Sequence, residues 1–521
     1  MAKTNCFKFY TFIIMLLIIS DLYAQTAFTV IYRDARNPNE PSLSVNPFDA
    51  AKIVVACNRD LVFYSHDSGK NWTKQVQDDR LGVFGDPVIR YTPRGSVLHA
   101  HLANNPKLKP YLSLDRMVVK RSMNDGITWS DGFGAGYNGG RMQDKEWLSA
   151  DGFYRSPYYG RIYLSWTEFD AYGSQLPNDR SRIRFAYSNS DGINFSQAIT
   201  VSDTTGDCAD GDNTLEGATM ASNQKGDVFM VWAGHHKIWF DKSSDGGLTW
   251  GKDKEIAVQK SGWKIDLDNI YRANGMPFIA VHKSPKSGKE YICVVYTDSV
   301  DGFHQVFLTY SSDNGNTWSV QKRINKTPHG GDQFFPNLTV NPETQELAIV
   351  YYNRGLFPGN FFITPVVTFI PDLEEFKEPA SLNYYPLIDG GFASLNKIFF
   401  GDYLDIAPYA KTFAAVWTQN IDDTLGICFG ILEKEKNAIS QTKPLAFGYD
   451  YPRKKFMLLC QNPNLVMKDI LVFNEAEKRV KLSFRQIGDG VFEAHYSKAK
   501  KQKYTIVPSE EAKRSIACQI R

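Results

Sequence analysis

The sequence predicts an all-β fold, a seven-bladed β-propeller followed by a small C-terminal β-domain. Three observations predict this fold. A short turn motif recurs five times, apolar β-branched runs recur seven times, and aromatic residues make up 14% of the 521-residue chain. Repeats of this period with strand-like flanks are typical of radial or stacked arrays of similar small units. The array therefore comes first, and any site must be built on it.

The turn motif reads Ser-x-Asp-x-Gly-x-Thr/Asn-Trp/Phe. Its copies lie at residues 65–72, 122–129, 188–195, 243–250 and 311–318. Asp followed by Gly suits a tight turn between antiparallel strands, because Asp bonds nearby backbone N–H groups and Gly adopts angles that other residues avoid. Asn124 and Ser190 replace Asp in two copies and can make the same bond. We interpret the motif as structural, with its final aromatic residue packed between units.

Seven apolar runs predict the number of blades. Each run is short, rich in β-branched residues and typical of a buried strand. The runs occupy residues 52–57, 96–101, 161–166, 227–232, 290–296, 346–352 and 412–417. Their starts are 44 to 66 residues apart, which is enough for a four-stranded blade with its loops. The sequence predicts seven blades over residues 25–435, with six blades as the alternative.

The two ends of the chain differ from the repeats. Residues 1–24 have a basic start, an apolar stretch and a small-residue cleavage site, which is typical of a secretory signal peptide. Residues 440–521 alternate charged segments with short strands, and we expect a small β-domain there for sorting, attachment or capping. We therefore expect a secreted, cell-surface or periplasmic protein without a membrane span in the mature chain.

Composition excludes several classes of partner and cofactor. The formal net charge is +2, so bulk charge does not favour nucleic acid or membranes. The six cysteines after the signal peptide show no Cys-x-x-Cys spacing, so zinc and thioredoxin chemistry are not indicated. Cys57, Cys293 and Cys428 lie in apolar strands and are predicted to be buried.

One face of the propeller collects polar residues. If the repeated turn joins the third and fourth strands of each blade, the segments before the first strand lie on the opposite face. Loops between the second and third strands share that face, where ligand sites form on concave rims. The polar segments include residues 85–87, 141–147, 210–217, 266–276 and 400–403.

The five turns resemble the Asp-box (BNR) repeats of sialidase-type β-propellers exported by bacteria. That resemblance implies an exo-acting glycoside hydrolase that releases terminal sialic-acid-like sugars from a glycan or glycoconjugate, with no required cofactor. It implies catalytic roles for the nucleophile Tyr271, its base Glu216, and the general acid Asp144 or Asp86. It implies substrate contacts from Arg141, Arg272 and Arg354, which would bind a carboxylate, and from Glu146 and Asp402.

A second hypothesis is a non-catalytic propeller that binds a glycan or a protein. Active sialidases carry a Phe/Tyr-Arg-Ile-Pro motif early in the first blade. The closest local sequence here is Tyr32-Arg33, which continues with Asp34 instead of Ile. The sequence therefore leaves open whether the chain is an enzyme.

A weaker hypothesis is a structural Ca²⁺ site in an acidic loop. Ca²⁺ takes oxygen ligands, and four carboxylates fall within ten residues, although their spacing is not that of an EF-hand loop. These residues are Asp203, Asp207, Asp210 and Asp212.

Overall fold

The structure is a computed structural model. It describes residues 28–104, 114–324, 330–355, 362–377, 385–387, 392–393, 398–421 and 424–432, and beyond these residue 482 and the separate strands given below. The predicted signal peptide, residues 1–24, lies outside the described residues. The only helix among them is one 3₁₀ turn, Leu373–Glu375.

The first three blades follow the N-terminal strand β1 (Phe28–Arg33). Blade 1 contains β2 (Ser42–Val45), β3 (Ile53–Cys57), β4 (Leu61–Ser65) and β5 (Thr73–Val76). Blade 2 contains β6 (Val88–Tyr91), β7 (Val97–Leu102), β8 (Met117–Ser122) and β9 (Phe133–Ala135). Blade 3 contains β10 (Met142–Ala150), β11 (Ile162–Phe169), β12 (Ser181–Ser188) and β13 (Ile199–Thr200).

Blades 4 and 5 are separated by a small hairpin. Blade 4 contains β14 (Glu216–Ser222), β15 (Val228–Gly234), β16 (Lys237–Ser243) and β17 (Lys254–Val258). The hairpin pairs β18 (Lys264–Ile265) with β19 (Ala273–Asn274). Blade 5 contains β20 (Phe278–Lys283), β21 (Glu290–Val300), β22 (Phe303–Ser311) and β23 (Lys322–Arg323).

The last two blades complete the propeller. Blade 6 contains β24 (Gln333–Val340), β25 (Leu347–Asn353), β26 (Phe362–Ile370), β27 (Tyr385–Pro386) and β28 (Phe392–Ala393), the last of which also pairs with β26. Blade 7 contains β29 (Asp405–Tyr409), β30 (Thr412–Ile421) and β31 (Thr424–Leu432), with β1 as its outermost strand. Every pairing within the blades is antiparallel.

The innermost strands form a closed ring. In order they are β2, β6, β10, β14, β20, β24 and β29; each contacts the next, and β29 contacts β2. Blade 7 joins both parts of the chain, because β1 pairs with β31 from Phe28 opposite Gly430 to Arg33 opposite Gly426. Seven blades are thereby confirmed, and the six-bladed alternative is wrong.

Eight further strands follow the propeller. They are β32 (Pro444–Asp450), β33 (Lys455–Cys460), β34 (Ile470–Asn474), β35 (Arg479–Val480), β36 (Arg485–Gly488), β37 (Val491–His495), β38 (Lys503–Pro508) and β39 (Ile516–Gln519). They pair into two four-stranded sheets, in the orders β32-β33-β37-β36 and β35-β34-β38-β39. A separate C-terminal β-domain over residues 440–521, and its role, stay predictions.

The five repeated segments form one kind of turn between the third and fourth strands of blades 1 to 5. In each, the Gly N–H donates to the Ser Oγ at 2.8–3.0 Å. The side chain at the Asp position accepts the N–H of the residue four positions on, at 2.8–3.2 Å. Asn124 and Ser190 keep this bond, as predicted. These side chains are therefore occupied by their own backbone.

Glycine is required in these turns for packing as well as for its backbone angle. Gly315 has φ +83°, and a Cβ there would lie 2.5 Å from Cε1 of Phe240 in the preceding blade. Gly247 meets Phe185 in the same way. The turn's Trp318 also packs edge-on against Phe240, with ring centroids 5.0 Å apart. These turns therefore pack directly against the preceding blade.

The blade interfaces hold the apolar core. The second strands, β3, β7, β11, β15 and β25, are buried along their whole length. Cys57, Cys293 and Cys428 are buried there without a disulfide, as predicted for their strands. Across the described ranges, no helix is long and apolar enough to cross a membrane.

Candidate functional site

A cavity of about 1080 Å³ opens at one end of the central channel. Its lining comes from the segments before the inner strands and from loops between second and third strands, as the sequence predicted for this face. The charged side chains that line it are Asp34, Arg36, Glu40, Arg59, Asp60, Asp86, Asp144, Lys145, Asp210, Glu216, Arg272 and Asp402.

An aromatic layer separates this cavity from the other end of the channel. Trp147 packs edge-on against Phe278 and Tyr403, with ring centroids 4.9 and 5.6 Å away. Lys145 lies over the Tyr403 ring, whereas Arg90 lies over Trp147 and lines a smaller pocket of about 350 Å³ with it. Lys145, which lines the cavity, therefore lies against this layer, whose three rings do not themselves line the cavity.

Asp402 is the centre of an ion-pair network. Its Oδ2 accepts from Lys145 Nζ at 2.7 Å and from Arg272 Nη2 at 2.6 Å. Lys145 also lies 3.2 Å from Asp86 Oδ2. Burial acts to raise the pKa of Asp402, but the two cations outweigh it and hold the pKa at about 2. Asp402 is therefore ionised at neutral pH, and its single negative charge is shared by two cations, which also pair with Asp86 and Asp210.

A β-bulge aims Lys145 into the cavity. Pairing of β10 with β11 skips from Asp144 to Trp147, so Lys145 and Glu146 together face Trp166. Lys145 has φ +53°, the left-handed conformation of a bulge's first residue and an unfavourable one for a non-glycine side chain. Such strain persists where the surrounding structure enforces it, and it clusters at functional sites.

A β-bulge also occurs in blade 4, directly after Glu216. Pairing of β14 with β15 skips from Glu216 to Thr219, and Gly217 takes φ +71° at the bulge. Glu216 is only 3% exposed, lines the cavity, and its Oε1 is buried without a hydrogen-bond partner. The Glu216-Gly217 pair is thus a local sequence signal for a side chain displaced from the regular ladder.

Several cavity carboxyls have raised pKa values. Burial, followed by the charges of Asp210 and Asp144, raises the pKa of Glu216 well above its usual range. Burial, followed by the charge of Asp86, raises the pKa of Asp144 to about 8. Carboxyls with raised and lowered pKa values therefore stand in one cavity, the first at Asp144 and Glu216 and the second at Asp402.

Sequence reasoning missed Tyr172, which follows β11. Its hydroxyl donates to Asp210 Oδ2 at 2.6 Å. Asp210 also accepts from Trp263 Nε1 at 3.2 Å and lies 3.3 Å from Arg272 Nη1. Burial and the surrounding carboxylates raise the pKa of Tyr172, so its phenol remains a donor. Its available signal was its place in the loop between the second and third strands of blade 3.

Glu40 was missed as well. It is buried before β2, and its Oε2 accepts from Asn58 Nδ2 at 2.6 Å. Asn58 Oδ1 in turn accepts the backbone N–H of Asp86 at 2.8 Å, joining blades 1 and 2. Burial, followed by the charge of Asp86, raises the pKa of Glu40 well above its usual range.

The predicted residues divide into two groups. The cavity brings together Glu216, Asp144, Asp86, Arg272 and Asp402. Four others do not line it: Tyr271, Arg141, Arg354 and Glu146.

The four residues outside the lining have other surroundings. The Tyr271 side chain is 70% exposed. Arg141 Nε donates to Asp170 Oδ1 at 2.6 Å, and buried Arg354 donates to the Asp268 carbonyl at 2.9 Å. Glu146 is buried beside the bulge with a raised pKa caused first by that burial. The arginines thus do not converge on one carboxylate-binding point.

The four carboxylates predicted to bind Ca²⁺ lie in the loop before β14, and a metal site there stays a prediction. Within the described ranges, no group of three or more His, Cys, Asp or Glu side chains is arranged to hold a metal ion. Asp203 and Asp253 each accept the other's backbone N–H through a carboxylate oxygen. Asp207 accepts from the Thr214 hydroxyl, and Asp212 accepts the N–H of Lys264. Asp210 belongs to the cavity instead.

Known proteins resemble this chain in fold. The sequence matches no family model and no curated protein. A protein of unknown function from Dyadobacter fermentans is similar, with 14% identity, coverage of 78% of this chain and 98% of that chain, and a TM-score of 0.46. The NanB sialidase from Streptococcus pneumoniae is 10% identical, with coverage of 76% of this chain and 83% of that chain and a TM-score of 0.44. The leech intramolecular trans-sialidase is 11% identical, with coverage of 63% of this chain and 67% of that chain and a TM-score of 0.40. At these identities the likeness shows the fold alone and says nothing about the function of the cavity.

Proposed function

We propose that this chain is an exo-acting glycoside hydrolase whose reaction takes place in the carboxyl-lined cavity. One observation carries the proposal: protonated Asp144 and ionised Asp402 are held in the same cavity by opposite surroundings. Titratable groups whose environments separate their pKa values are the usual mark of acid–base catalysis. A concave cavity of about 1080 Å³ at one end of the propeller suits a terminal sugar.

Asp144 is the proposed general acid. It lines the cavity and, with a pKa of about 8, carries a proton at neutral pH. In the reaction it would donate this proton to the glycosidic oxygen as the bond to the sugar breaks. Asp86, the other acid implied by the resemblance, lies 3.2 Å from Lys145 Nζ and is assigned to electrostatic support.

Tyr172 is the proposed nucleophile, in place of Tyr271. Its hydroxyl already donates to Asp210 at 2.6 Å, which is the arrangement of a nucleophile and its base. Its oxygen would attack the anomeric carbon while its proton passes to Asp210. Water, deprotonated by the Asp144 carboxylate, would then cleave the sugar–tyrosine bond, and Tyr172 would regain its proton from Asp210. Exposed Tyr271 lies outside the cavity lining.

Release of 4-methylumbelliferone from a panel of its glycosides tests this assignment. The panel begins with the sialic-acid glycoside, the substrate that the sequence resemblance implies, and includes neutral and amino-sugar glycosides. We expect Tyr172→Phe and Asp144→Asn to lower kcat/KM by about 10²–10⁴-fold. Tyr271→Phe decides between the two tyrosines and should keep the wild-type value. Activity should fall as pH rises through about 8, where Asp144 loses its proton.

A non-catalytic glycan-binding propeller is the second candidate. The observation that favours it is that Arg141 and Arg272 are occupied by Asp170 and Asp402, so neither awaits a substrate carboxylate. No turnover of any glycoside by folded protein, together with retained glycan binding, would establish this candidate. Equal damage from Tyr271→Phe and Tyr172→Phe would instead contradict the nucleophile assignment.

A further inference from the structure

The cavity has more acids than bases. Eight carboxylic acids and four basic side chains line it, so four carboxyls lack a matching cation. Three of the eight have pKa values raised first by burial: Glu40, Asp144 and Glu216. Protons therefore substitute for missing positive charge in this cavity.

The unmatched charge is concentrated on the side formed by blades 3 and 4. Glu216 faces the acids Asp210 and Asp144, the hydroxyl of Tyr172, and more weakly the cations Arg272 and Lys145. Both of those cations are bonded to Asp402. Lys145 also pairs with Asp86 and Arg272 with Asp210, so both cations are shared among other acids, and none of the described ion pairs includes Glu216.

Glu216 also offers an unused hydrogen-bond acceptor. It is 3% exposed, and its Oε1 is buried without a partner. A buried polar atom without a partner costs free energy that a bound donor would recover. Its burial beneath a roomy cavity indicates that the missing donor is a group of a ligand.

We infer that the cavity recognises a sugar bearing a free primary amine, whose ammonium group binds at Glu216 beside Asp144 and Asp210. The inference rests on the proposed function in taking this amino sugar as the substrate's terminal residue. An ammonium supplies three donors and one positive charge, the two things that this side of the cavity lacks. A sialic acid supplies an anionic carboxylate instead, which would add negative charge to a cavity that already has more acids than bases.

The rim carries a surface for the rest of the sugar. Phe84 lines the cavity with 45% of its side chain exposed, and buried Trp263 lines the wall beside Asp210. Aromatic rings provide apolar area against which the C–H face of a pyranose can pack. Amine recognition at Glu216 and ring packing at the rim are compatible within about 1080 Å³.

Binding of an ammonium should release protons. Burial raises the pKa values of Glu216 and Asp144 in the free cavity, whereas a bound ammonium favours their ionised forms. Its binding lowers their pKa values, so protons leave for the solvent near neutral pH. Affinity for the amine should therefore rise with pH up to about 8, provided that the amine stays charged.

Isothermal titration calorimetry with free monosaccharides tests the inference without hydrolysis. Glucosamine, N-acetylglucosamine, glucose and sialic acid are titrated at pH 6.5 and constant ionic strength, in two buffers of different ionisation enthalpy. We expect glucosamine to bind at least tenfold more tightly than the other three and to release about one proton. Equal or tighter binding of N-acetylglucosamine or sialic acid would overturn the inference.

Two variants test whether the amine preference and the proton release depend on Glu216. Glu216→Gln should remove both the amine preference and the proton release. Asp241→Asn is the matched control, because Asp241 is 2% exposed with a pKa raised first by burial to about 6, but it lies on β16 outside the cavity lining. It should keep both. An unchanged amine preference in Glu216→Gln would contradict the assignment of the amine to Glu216. If a variant does not fold, the comparison of the four sugars on the wild-type protein still tests the inference.

The two proposals fail in different ways. Turnover of neutral or sialic-acid glycosides without a preference for amino sugars would overturn the amine inference and leave hydrolysis supported. Amine-selective binding without turnover of any glycoside would support the amine site and overturn hydrolysis.

Discussion

Two carboxyls on opposite faces of the propeller, Asp313 and Asp144, have pKa values shifted in opposite directions. Asp313 in a repeated turn accepts hydrogen bonds from the Thr317 and Asn316 N–H groups, the Thr317 hydroxyl and Ser311. These bonds, led by the Thr317 hydroxyl, lower its pKa to about 2. At the other face, burial raises the pKa of Asp144 to about 8.

The two carboxyls are the same residue type and differ in how many hydrogen-bond donors surround them. A turn carboxylate is exposed and surrounded by donors, so its charge has no further use. A cavity carboxyl is buried among other acids, so its proton and its free oxygen remain available to a ligand or a reaction. Repetition of Asp therefore marks architecture here, whereas unsatisfied acids mark the candidate site.

The largest expected effect comes from removing the cation that holds the cavity acids together. Lys145 is 5% exposed and bonds to Asp402 and Asp86. Lys145→Met should lower the free energy of unfolding by about 3 kcal/mol, the low end for breaking a buried pair, because Arg272 still binds Asp402. Urea denaturation measures it.

An exposed ion pair supplies the control for this variant. Lys286 and Glu375 lie 3.2 Å apart, with about two-thirds of each side chain exposed. Lys286→Met should leave the urea midpoint close to the wild-type value, since solvent screens such pairs. Equal losses in the two lysine variants would mean that the cavity network is not a buried one.

An effect of similar size is expected on the turn face, where packing rather than charge is decisive. Gly315→Ala places a Cβ 2.5 Å from Phe240 at φ +83°. Left-handed backbone costs about 1–2 kcal/mol for a non-glycine residue, and overpacking adds about 1–3 kcal/mol. We expect a total loss of about 2–5 kcal/mol in the free energy of unfolding.

Gly302→Ala isolates the packing part of that loss. Gly302 has φ +80° in the turn between β21 and β22, but nothing lies within 4 Å of its added Cβ. Its loss should be about 1 kcal/mol, the backbone term alone. If both alanine variants lose equal stability in urea, contact between turns and neighbouring blades is not what requires glycine.

The architecture could be predicted because its signals are local. Each blade's second strand is an apolar β-branched run, and each repeated turn carries its own hydrogen-bonding residues within eight positions. The polar segments before inner strands followed from strand direction alone. Five of the nine residues proposed for catalysis or substrate binding accordingly line the cavity: Glu216, Asp144, Asp86, Arg272 and Asp402.

The rest of the site depends on geometry that one sequence does not state. Tyr271 and Arg272 are adjacent, but only Arg272 lines the cavity, whereas the Tyr271 side chain is 70% exposed. Tyr172 and Glu40 lie in loops whose paths depend on packing between blades distant in sequence. The bulge at Lys145 carries no glycine, so its inward turn had no local signal.

The pH dependence of stability compares the raised and the lowered carboxyl directly. A raised pKa in the folded state gives stability that is complete below the unfolded pKa and is lost as pH rises toward the folded value. Asp144 should therefore cost stability between about pH 4 and pH 8. Asp313 has the opposite sign: its contribution is present above the unfolded pKa and is lost as pH falls toward 2.

Urea midpoints at several pH values separate these contributions. Subtracting each variant from the wild-type protein cancels the other titrating groups, so the slope of the difference belongs to the substituted residue and its partners. Asp144→Asn should flatten the decline between pH 5 and 8, whereas Asp313→Asn should change the slope only below about pH 4. A wild-type slope in Asp144→Asn would mean that this carboxyl is ionised in the folded protein. Such a residue could not serve as the general acid, and one proton fewer would remain for an ammonium to displace.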